Sequence, residues 1–291
     1  MLEALQFEFM RNALMAGLLA SVLCGVMGTL VVVNRIVFLS GGIAHAAYGG
    51  IGLAFFMGWP FLPTTLGFTL AAAVLMAAVT IRARHRADTI IGVIWAVGMA
   101  TGVILLDLTP GYNVDLMSYL FGSILTVPFA DIRLMLIITA VVGAALVFLY
   151  NDLLAMSYDE EFARIRGVPV TALYFFLIAL LAVSIVVIIQ VVGLILVIAL
   201  LTIPPFISEK YARSLFAMMA LSTLMGAVFT VCGLWLSFTY DLTSGAAIIL
   251  VAGAAFFLSL LAESIKNRRL RLRARAEATE AAERENAADT A

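Results

Sequence analysis

Residues 11–33 read RNALMAGLLASVLCGVMGTLVVV, and this stretch decides the fold. After Arg11 it holds no charged side chain, and the next one in the chain belongs to Arg35. A helix needs about 20 consecutive apolar residues to span the hydrocarbon core of a bilayer. The stretch therefore predicts a transmembrane helix, and similar stretches follow it along the chain.

The composition indicates a polytopic membrane protein. Of the 291 residues, 64% are hydrophobic and 12% are charged, whereas a soluble domain carries about 25% charged residues. The mean hydropathy is +1.13. Glu3 and Glu8 occupy the start of the chain in place of a basic region, so no signal peptide is predicted. Cys24 and Cys232 lie in apolar runs without metal-type spacing, and we expect them to be structural.

Apolar runs of spanning length predict an all-α fold with about eight to nine transmembrane helices. The candidate spans cover about residues 11–33, 38–57, 62–81, 89–107, 132–150, 171–189, 191–207, 213–236 and 243–263. We expect a membrane domain over residues 1–264. A cytoplasmic tail over residues 265–291 is expected to be basic at first, then Ala/Glu-rich and partly disordered.

Lysine and arginine are distributed unevenly between the two sides that this count defines. All of them except Arg11 and Arg133 fall on the side of the C-terminal tail. By the positive-inside rule that side is the cytoplasm. The C-terminus is therefore predicted inside the cell, and an odd number of crossings places the N-terminus outside.

The segment 114–127, VDLMSYLFGSILTV, is apolar but too short to span. Runs of this length are more often interfacial or re-entrant. Irregular backbone at membrane depth is tolerated where protein or a water-filled cavity covers it. We therefore predict a partly inserted element on the outer face.

His45 lies in the second span among small residues. The small residues around it are Gly41, Gly42, Ala44, Ala46, Ala47, Gly49, Gly50 and Gly52. An ionisable group at membrane depth usually faces a cavity or a partner, and small residues also let helices pack closely. His45, Gly41 and Gly49 are therefore candidates to line a transport pathway. A hydrogen-bonded His in a tight helix interface is the alternative.

The loop SYDEEFARIRGVPV, residues 157–170, predicts a short capped helix at about 157–168. Acidic residues come first and basic ones later, which matches the helix dipole, and Gly167 and Pro169 follow as stop signals. Ala163 and Gly167 lie one turn apart and would offer a smooth face to another protein. The alternative is a solvated connector. The residues proposed to make this docking helix are Asp159, Glu160, Ala163, Arg164 and Gly167.

Two further features have a functional and a plain interpretation. Pro204 and Pro205 are expected to end a helix, either as a gate hinge or simply as a helix stop. Asp107, Asp115 and Asp241 lie at the outer edge, where they would bind a cation or a partner, or be ordinary exposed carboxylates.

Missing motifs exclude several functions. The chain has no G-x-x-x-x-G-K-[ST] motif and no HExxH motif, and its only histidines are His45 and His85. It is therefore predicted to be no enzyme and to hold no permanently bound cofactor. One membrane His with scattered Asp residues does not make a closed metal cage.

Seven pieces of the chain, in order, resemble the permease subunits of bacterial zinc/manganese/iron ABC importers, the ABC-3 family. The pieces are FMRNALMAGLLASVLCGVMGTLVVV, the glycine-rich helix with His45, DTIIGVIWAVGMATGVILL, YLFGSIL, DEEFARIRGVPV, GLILVIALLTIPP and DLTSGAAIILVAGAAFFLSLL. The resemblance extends to about residue 264. It implies a fold similar to the vitamin B12 importer permeases and a location in the bacterial inner membrane.

The resemblance also implies partners and roles. A second permease copy would pair with this chain, a cytoplasmic ATPase would use ATP, and an extracytoplasmic metal-binding protein would deliver a divalent metal ion. Residues 159–167 would match the coupling helix, and His45 the pore-lining His. Many members carry Asp one turn before this His and Ser directly before it, where this chain has Gly41 and Ala44. His45 would therefore need oxygen ligands from the dimer mate or another span. No nucleic-acid partner is implied.

Three other functions are alternatives to a permease for bare metal ions. A permease for chelated iron or a vitamin-like cargo would use the space that the glycine-rich helix leaves. A secondary transporter driven by protons or sodium would need a relay of buried ionisable groups, and His45 alone does not provide one. A membrane enzyme would need a catalytic constellation, which the spans lack.

Overall fold

The chain folds into helices throughout the part that the structure describes. The structure, a computed structural model, describes residues 6–110, 122 and 124–289, without the side chains of Arg84 and residues 269–289. The helices are α1 (Glu8–Val33), α2 (Val37–Met57), α3 (Phe61–Arg82), α4 (Ala87–Asp107), α5 (Phe129–Phe148), α6 (Tyr150–Tyr158), α7 (Glu160–Ile165), α8 (Val170–Val192), α9 (Leu194–Glu209), α10 (Leu215–Tyr240) and α11 (Ser244–Asp289). Short 3₁₀ turns occupy Arg84–Arg86 and Ile124–Thr126.

The predicted all-α membrane fold is confirmed. Among the described residues, eight helices are long and apolar enough to cross a bilayer, namely α1–α5, α8, α10 and α11. The ninth candidate span is α9, whose 16 residues extend about 24 Å, less than the hydrocarbon thickness of about 30 Å. The count of eight to nine crossings therefore stands. The predicted re-entrant segment, 114–127, lies outside the described residues except for 122 and 124–127. Asp115 also lies outside them.

Helices α1, α2 and α8 form the centre of the bundle. About two thirds of the apolar window is buried in α1 and α8 and 72% in α2, against 22% in α4 and α5. A membrane helix that is apolar on all sides and buried packs against protein, whereas an exposed one faces lipid. The centre of the bundle is thus built from α1 and α2, which are consecutive in the chain, and from α8.

Close contacts establish the direction of each helix. In α2 and α4, Gly42 lies beside Ile91 and Gly52 beside Gly102, so these two helices run parallel. Helix α3 runs antiparallel to α2, because Gly42 also lies beside Met76 and Gly50 beside Thr65. We call the end with Arg35, Arg82, α7 and Lys210 the basic end, and the opposite end, where α1 and α5 begin, the far end.

Helices α1 and α10 pack along a seam of small and hydroxyl residues. The Ser21 and Thr230 hydroxyls lie 3.1 Å apart, and Thr29 donates to Ser222 over 3.3 Å; all four residues are fully buried. A Cβ on Gly25 would clash with Thr223. Small residues and side-chain hydrogen bonds are typical of helix contacts in membranes, so this seam is structural.

The chain reverses direction inside the bundle at Gly193, between α8 and α9. Gly193 has φ 83° and ψ 163°, a backbone conformation that side chains with a Cβ rarely adopt. Gly122 packs directly against the backbone of Val192 at this point. Helix α9 then runs beside α1, with Leu201 and Pro205 next to Gly28. The turn between α8 and α9 is therefore a one-residue reversal.

The prediction that Pro204 and Pro205 end a helix is wrong. Helix α9 continues through both prolines to Glu209. Pro205 cannot donate to the carbonyl of Leu201, which would be its helical partner. That carbonyl instead abuts Gly28, where any side chain would collide with it. Helix α1 thus approaches α9 closely at the position where Pro205 leaves a helical hydrogen bond unmade.

The chain divides into two units by its contacts, Met1–Ala252 and Gly253–Ala291. The second unit is by itself the continuation of α11, which is helical to Asp289. The domain boundary near residue 264 and the partial disorder of the tail stay predictions.

Candidate functional site

His45 lies on α2, eight residues after Val37, or about 12 Å from the basic end of that helix. Its ring is partly buried, and Nδ1 lies 2.9 Å from the carbonyl oxygen of Gly41. A carbonyl only accepts hydrogen bonds, so Nδ1 is the donor and carries the proton. In the neutral ring, Nε2 then keeps its lone pair, and this is the form of histidine that binds a metal ion.

Trp95 of α4 covers one face of this imidazole. The two ring centroids are 4.1 Å apart, with an angle of 31° between the planes. Phe38 approaches the same indole, with its centroid at 5.9 Å. The imidazole is thus held by a hydrogen bond at one nitrogen and by an aromatic face, and its other nitrogen is oriented by both.

The two glycines grouped with His45 in the sequence have different surroundings. A Cβ on Gly41 would meet no atom within 4 Å. There is therefore open space one helical turn from the imidazole, toward the basic end. A Cβ on Gly49 would lie 2.7 Å from the Phe68 ring and 2.8 Å from the carbonyl oxygen of Gly98. Gly41 therefore borders a space, whereas Gly49 allows α2, α3 and α4 to pack closely.

His45 has no cluster of ligating side chains around it within the described residues. No group of three His, Cys, Asp or Glu side chains there is placed to hold a metal ion. Asp107 and Asp241 are both exposed. An ion at His45 would therefore need ligands other than a side-chain cluster of the described residues, such as backbone oxygens, water or another chain.

Helix α7 has the caps that its sequence predicts. Oδ1 of Asp159 accepts a hydrogen bond from the Phe162 amide over 2.9 Å, and Arg164 pairs with Glu160 at 2.6 Å. Gly167 has φ 83°. Its amide donates to Arg164 while the amide of Val168 donates to Ala163, which is the Schellman arrangement at a helix end.

The exposed surface of α7 differs from the one expected. Ala163 is fully buried, so its predicted position on an outward, smooth face is corrected. The outward side chains are Ile165, which is 85% exposed, and Phe162, which is 50% exposed. The guanidinium of Arg166 lies 5.6 Å above the Phe162 ring. Apolar side chains exposed at the end of a bundle favour contact with another protein.

Helix α6 fastens α7 to the central helices. The Asn34 side chain, in the turn between α1 and α2, donates to Ser157 Oγ over 2.9 Å and to the carbonyl of Leu30 over 2.8 Å. Cavities of about 680 Å³ and 330 Å³ flank this contact, and both are lined by Asn34, Arg35, Met156 and Glu160. A displacement of α7 would therefore reach α1 and α2 through a short path.

One polar contact at the far end was missed by the sequence analysis. Gln190, near the end of α8, donates to Asp131 of α5 over 3.2 Å. The oxygen of this amide, Oε1, is buried and has no hydrogen-bond partner among the described residues. The only signal in the sequence was a glutamine inside an otherwise apolar span.

Comparison with known proteins identifies a family. The sequence profile of the ABC 3 transport family matches residues 6–263. The chain is 48% identical over 260 residues to an uncharacterized membrane protein, slr2045, of Synechocystis sp., covering 89% of this chain and 92% of that one. It is 32% identical to the manganese transport system membrane protein MntC of Listeria monocytogenes, covering 88% and 91%.

The fold is also shared with a solved structure. PsaBC from Streptococcus pneumoniae in complex with Fab superposes with a TM-score of 0.81 and 30% identity, covering 89% of this chain and 93% of that one. The residues that the family profile matches include His45 and α7.

Proposed function

The chain belongs to the ABC 3 transport family, and we propose that it is the membrane-spanning permease of an ATP-driven importer of divalent transition metal ions. A separate cytoplasmic ATPase and an extracytoplasmic binding protein would work with it. The permease itself would carry no ATPase site. Manganese is the first candidate cargo because a relative that matches over most of its length is named a manganese transport protein, and zinc and iron are the others.

The basic end would face the cytoplasm of a bacterium and the far end the outside. Among the described residues, the basic side chains at the far end are Arg11 and Arg133. Those at the basic end include Arg35, Arg82 and Lys210, and the positive-inside rule assigns the richer side to the cytoplasm. The C-terminus would then be cytoplasmic and the chain would lie in the inner membrane.

The observation that carries the proposal is α7. It is capped at both ends, joined to the turn between α1 and α2 through Asn34 and Ser157, and exposes Phe162 and Ile165. Exposed apolar side chains outside the lipid region support docking on another protein. ATP-driven closure of two ATPase subunits would move α7 in each permease, and the contact at Ser157 would pass that movement to α1 and α2.

His45 would contact the ion on its way. Its Nε2 lone pair is available because Gly41 holds the proton on Nδ1. The other ligands would be water and oxygen atoms of a second permease copy, so each copy would contribute one imidazole. Weak binding suits transport, since an ion that binds tightly does not leave.

Alternating access would use α9 as the moving part. Its two prolines remove backbone hydrogen bonds within a membrane helix, which lowers the resistance to bending. Pro204 and Pro205 would thus act as a hinge between outward-open and inward-open states. Contact with Gly28 supports one of these states.

The test is metal uptake into vesicles that contain the permease, its ATPase and its binding protein. We expect uptake of radioactive Mn²⁺ that needs ATP and that excess unlabelled Mn²⁺ abolishes. Competition by Zn²⁺, Fe²⁺ and a ferric chelate identifies the cargo. Uptake that continues without ATP, or that a proton uncoupler stops, would contradict an ATP-driven permease.

A further inference from the structure

A partly buried carboxylate meets a transmembrane amide at the far end of the bundle. Asp131, in the first turn of α5, accepts a hydrogen bond of 3.2 Å from Nε2 of Gln190. Glu8, Asp107 and Asp241, the other acidic residues described at this end, are all exposed. Asp131 is thus the carboxylate that the fold holds against a membrane helix.

The amide of Gln190 has an oxygen that no described residue satisfies. Within that part of the chain Oε1 is buried and accepts no hydrogen bond. Burying an amide oxygen without a partner is unfavourable, and more so at membrane depth. An oxygen that lacks a donor beside a carboxylate is an arrangement that a cation would satisfy.

The reversal at Gly193 adds backbone oxygens to this place. Gly193 ends α8 three residues after Gln190, so the carbonyls of Gln190 and Val191 have no partner inside the helix, whereas that of Val192 lies against Gly122. Within the described ranges, no other amide donates to them. The carbonyl end of a broken transmembrane helix carries a partial negative charge and binds cations in transporters.

The same turn also presents the first N–H groups of α9, which do not favour a cation. The position of Asp131 decides whether a cation would lie beside the carbonyl end of α8 or beside the N–H groups of α9. Its carboxylate accepts a hydrogen bond from a side chain of α8. A cation would therefore lie on the α8 side, and water would satisfy the N–H groups.

We propose that Asp131 and Gln190, with carbonyl oxygens at the end of α8, form a second binding station for the divalent cation, at the far end of the pathway from His45. This inference rests on the proposed function. Its oxygen-only ligands suit Mn²⁺ better than Zn²⁺, which prefers nitrogen and sulfur. The ion would bind first to oxygens near the outside and then to the imidazole.

Thermal unfolding of the purified permease in detergent measures binding without transport. An ion that binds only the folded protein raises the melting temperature of that protein. Every variant carries His45→Ala, which removes the imidazole, and the probe is Mn²⁺ against a chelator. We expect Mn²⁺ to raise the melting temperature of His45→Ala. Adding Asp131→Asn, which keeps an acceptor for Gln190 but not the charge, should weaken Mn²⁺ binding at least about tenfold.

Asp107→Asn in the same background is the matched control, since it removes an exposed carboxylate at the same end. It should leave the Mn²⁺ shift unchanged. Equal Mn²⁺ shifts with Asp131→Asn and Asp107→Asn, or no shift in the His45→Ala parent, would overturn the second station. Because this readout involves no transport, it is independent of whether the wild type takes up metal, which tests the proposed function.

Gln190→Glu separates a cation station from a purely structural hydrogen bond. Two neighbouring carboxylates repel each other, so the variant should melt at a lower temperature in chelator. If the site binds a cation, Mn²⁺ should reverse this loss. It should also raise the melting temperature by more than it does in the His45→Ala parent, which keeps Gln190. A melting temperature that stays low at all Mn²⁺ concentrations would contradict the station.

Discussion

The Asn34 side chain donates a 2.9 Å hydrogen bond to the Ser157 hydroxyl, and this contact fastens the turn between α1 and α2 to the helix that precedes α7. The two residues are 123 positions apart in the chain. Ser157 lies two residues before Asp159, which caps α7. It is therefore the first place to test how movement at the basic end reaches the pathway.

We expect Ser157→Ala to weaken coupling more than it weakens the fold. The lost hydrogen bond should cost about 1 kcal/mol of stability, while Asn34 keeps its bond to Leu30. The measurement is uptake per ATP hydrolysed, which should fall. Thr101→Ala removes an exposed hydroxyl that bonds only within its own helix and should leave the ratio unchanged. Equal ratios in both variants would contradict a role for this contact.

Ile165→Asp should prevent ATPase binding while the permease still folds. Its side chain is 85% exposed, so the substitution costs little folding free energy but places a charge in a protein interface. The measurement is co-purification of the ATPase with the permease, and Ile165→Leu is the control that should bind normally. Co-purification of wild-type amounts with Ile165→Asp would show that α7 is not the docking helix.

Ala163→Leu should behave in the opposite way. Ala163 is fully buried, and forcing a larger side chain into a packed site costs about 1–3 kcal/mol. We expect a lower melting temperature of the permease alone, measured without any ATPase. An unchanged melting temperature would mean that α7 is loosely packed, against its buried position.

Gly41 and Gly49 should respond differently to the same substitution. Gly41→Ala should be tolerated because a Cβ there meets nothing within 4 Å, whereas Gly49→Ala brings a Cβ against Phe68 and the Gly98 carbonyl. The second variant should lose about 1–3 kcal/mol. Thermal unfolding of the two purified variants checks this. A larger loss at Gly41 would reverse the assignment of open space and tight packing.

Pro204→Ala should stiffen α9 and slow transport. Alanine restores an N–H group that can bond the Leu200 carbonyl, so the melting temperature should be unchanged or higher. If α9 bends during the cycle, the uptake rate should nevertheless fall. An uptake rate equal to that of the wild type in a stabilised variant would argue against a hinge at this position.

The local chemistry of α7 was predictable, but its orientation was not. Asp159, the Glu160–Arg164 pair and Gly167 lie within nine residues, and each capping group acts on its neighbours. Whether Ala163 faces inward or outward depends on helices distant in the sequence. The sequence therefore predicted the helix and its ends correctly, but it predicted the wrong exposed face.

Contacts between distant residues account for the other differences. The prolines of α9 would stop an isolated helix, but Gly28 of α1 accommodates the Leu201 carbonyl and the helix continues. Asp131 and Gln190 are 59 residues apart, and neither belongs to a local motif. The length of the apolar runs predicted the number of spans because that constraint comes from the bilayer. It carries no information about which polar groups meet.

The central claim is that His45 lies on the path of a transported metal ion. Uptake of Mn²⁺, Zn²⁺ and Fe²⁺ into vesicles with the complete transporter tests it most directly, comparing wild type with His45→Ala. His85→Ala is the control, since His85 is exposed at the basic end. We predict that His45→Ala abolishes uptake while the ATPase still binds and responds to the binding protein. Uptake at the wild-type rate with His45→Ala would contradict the claim and make His45 a packing residue.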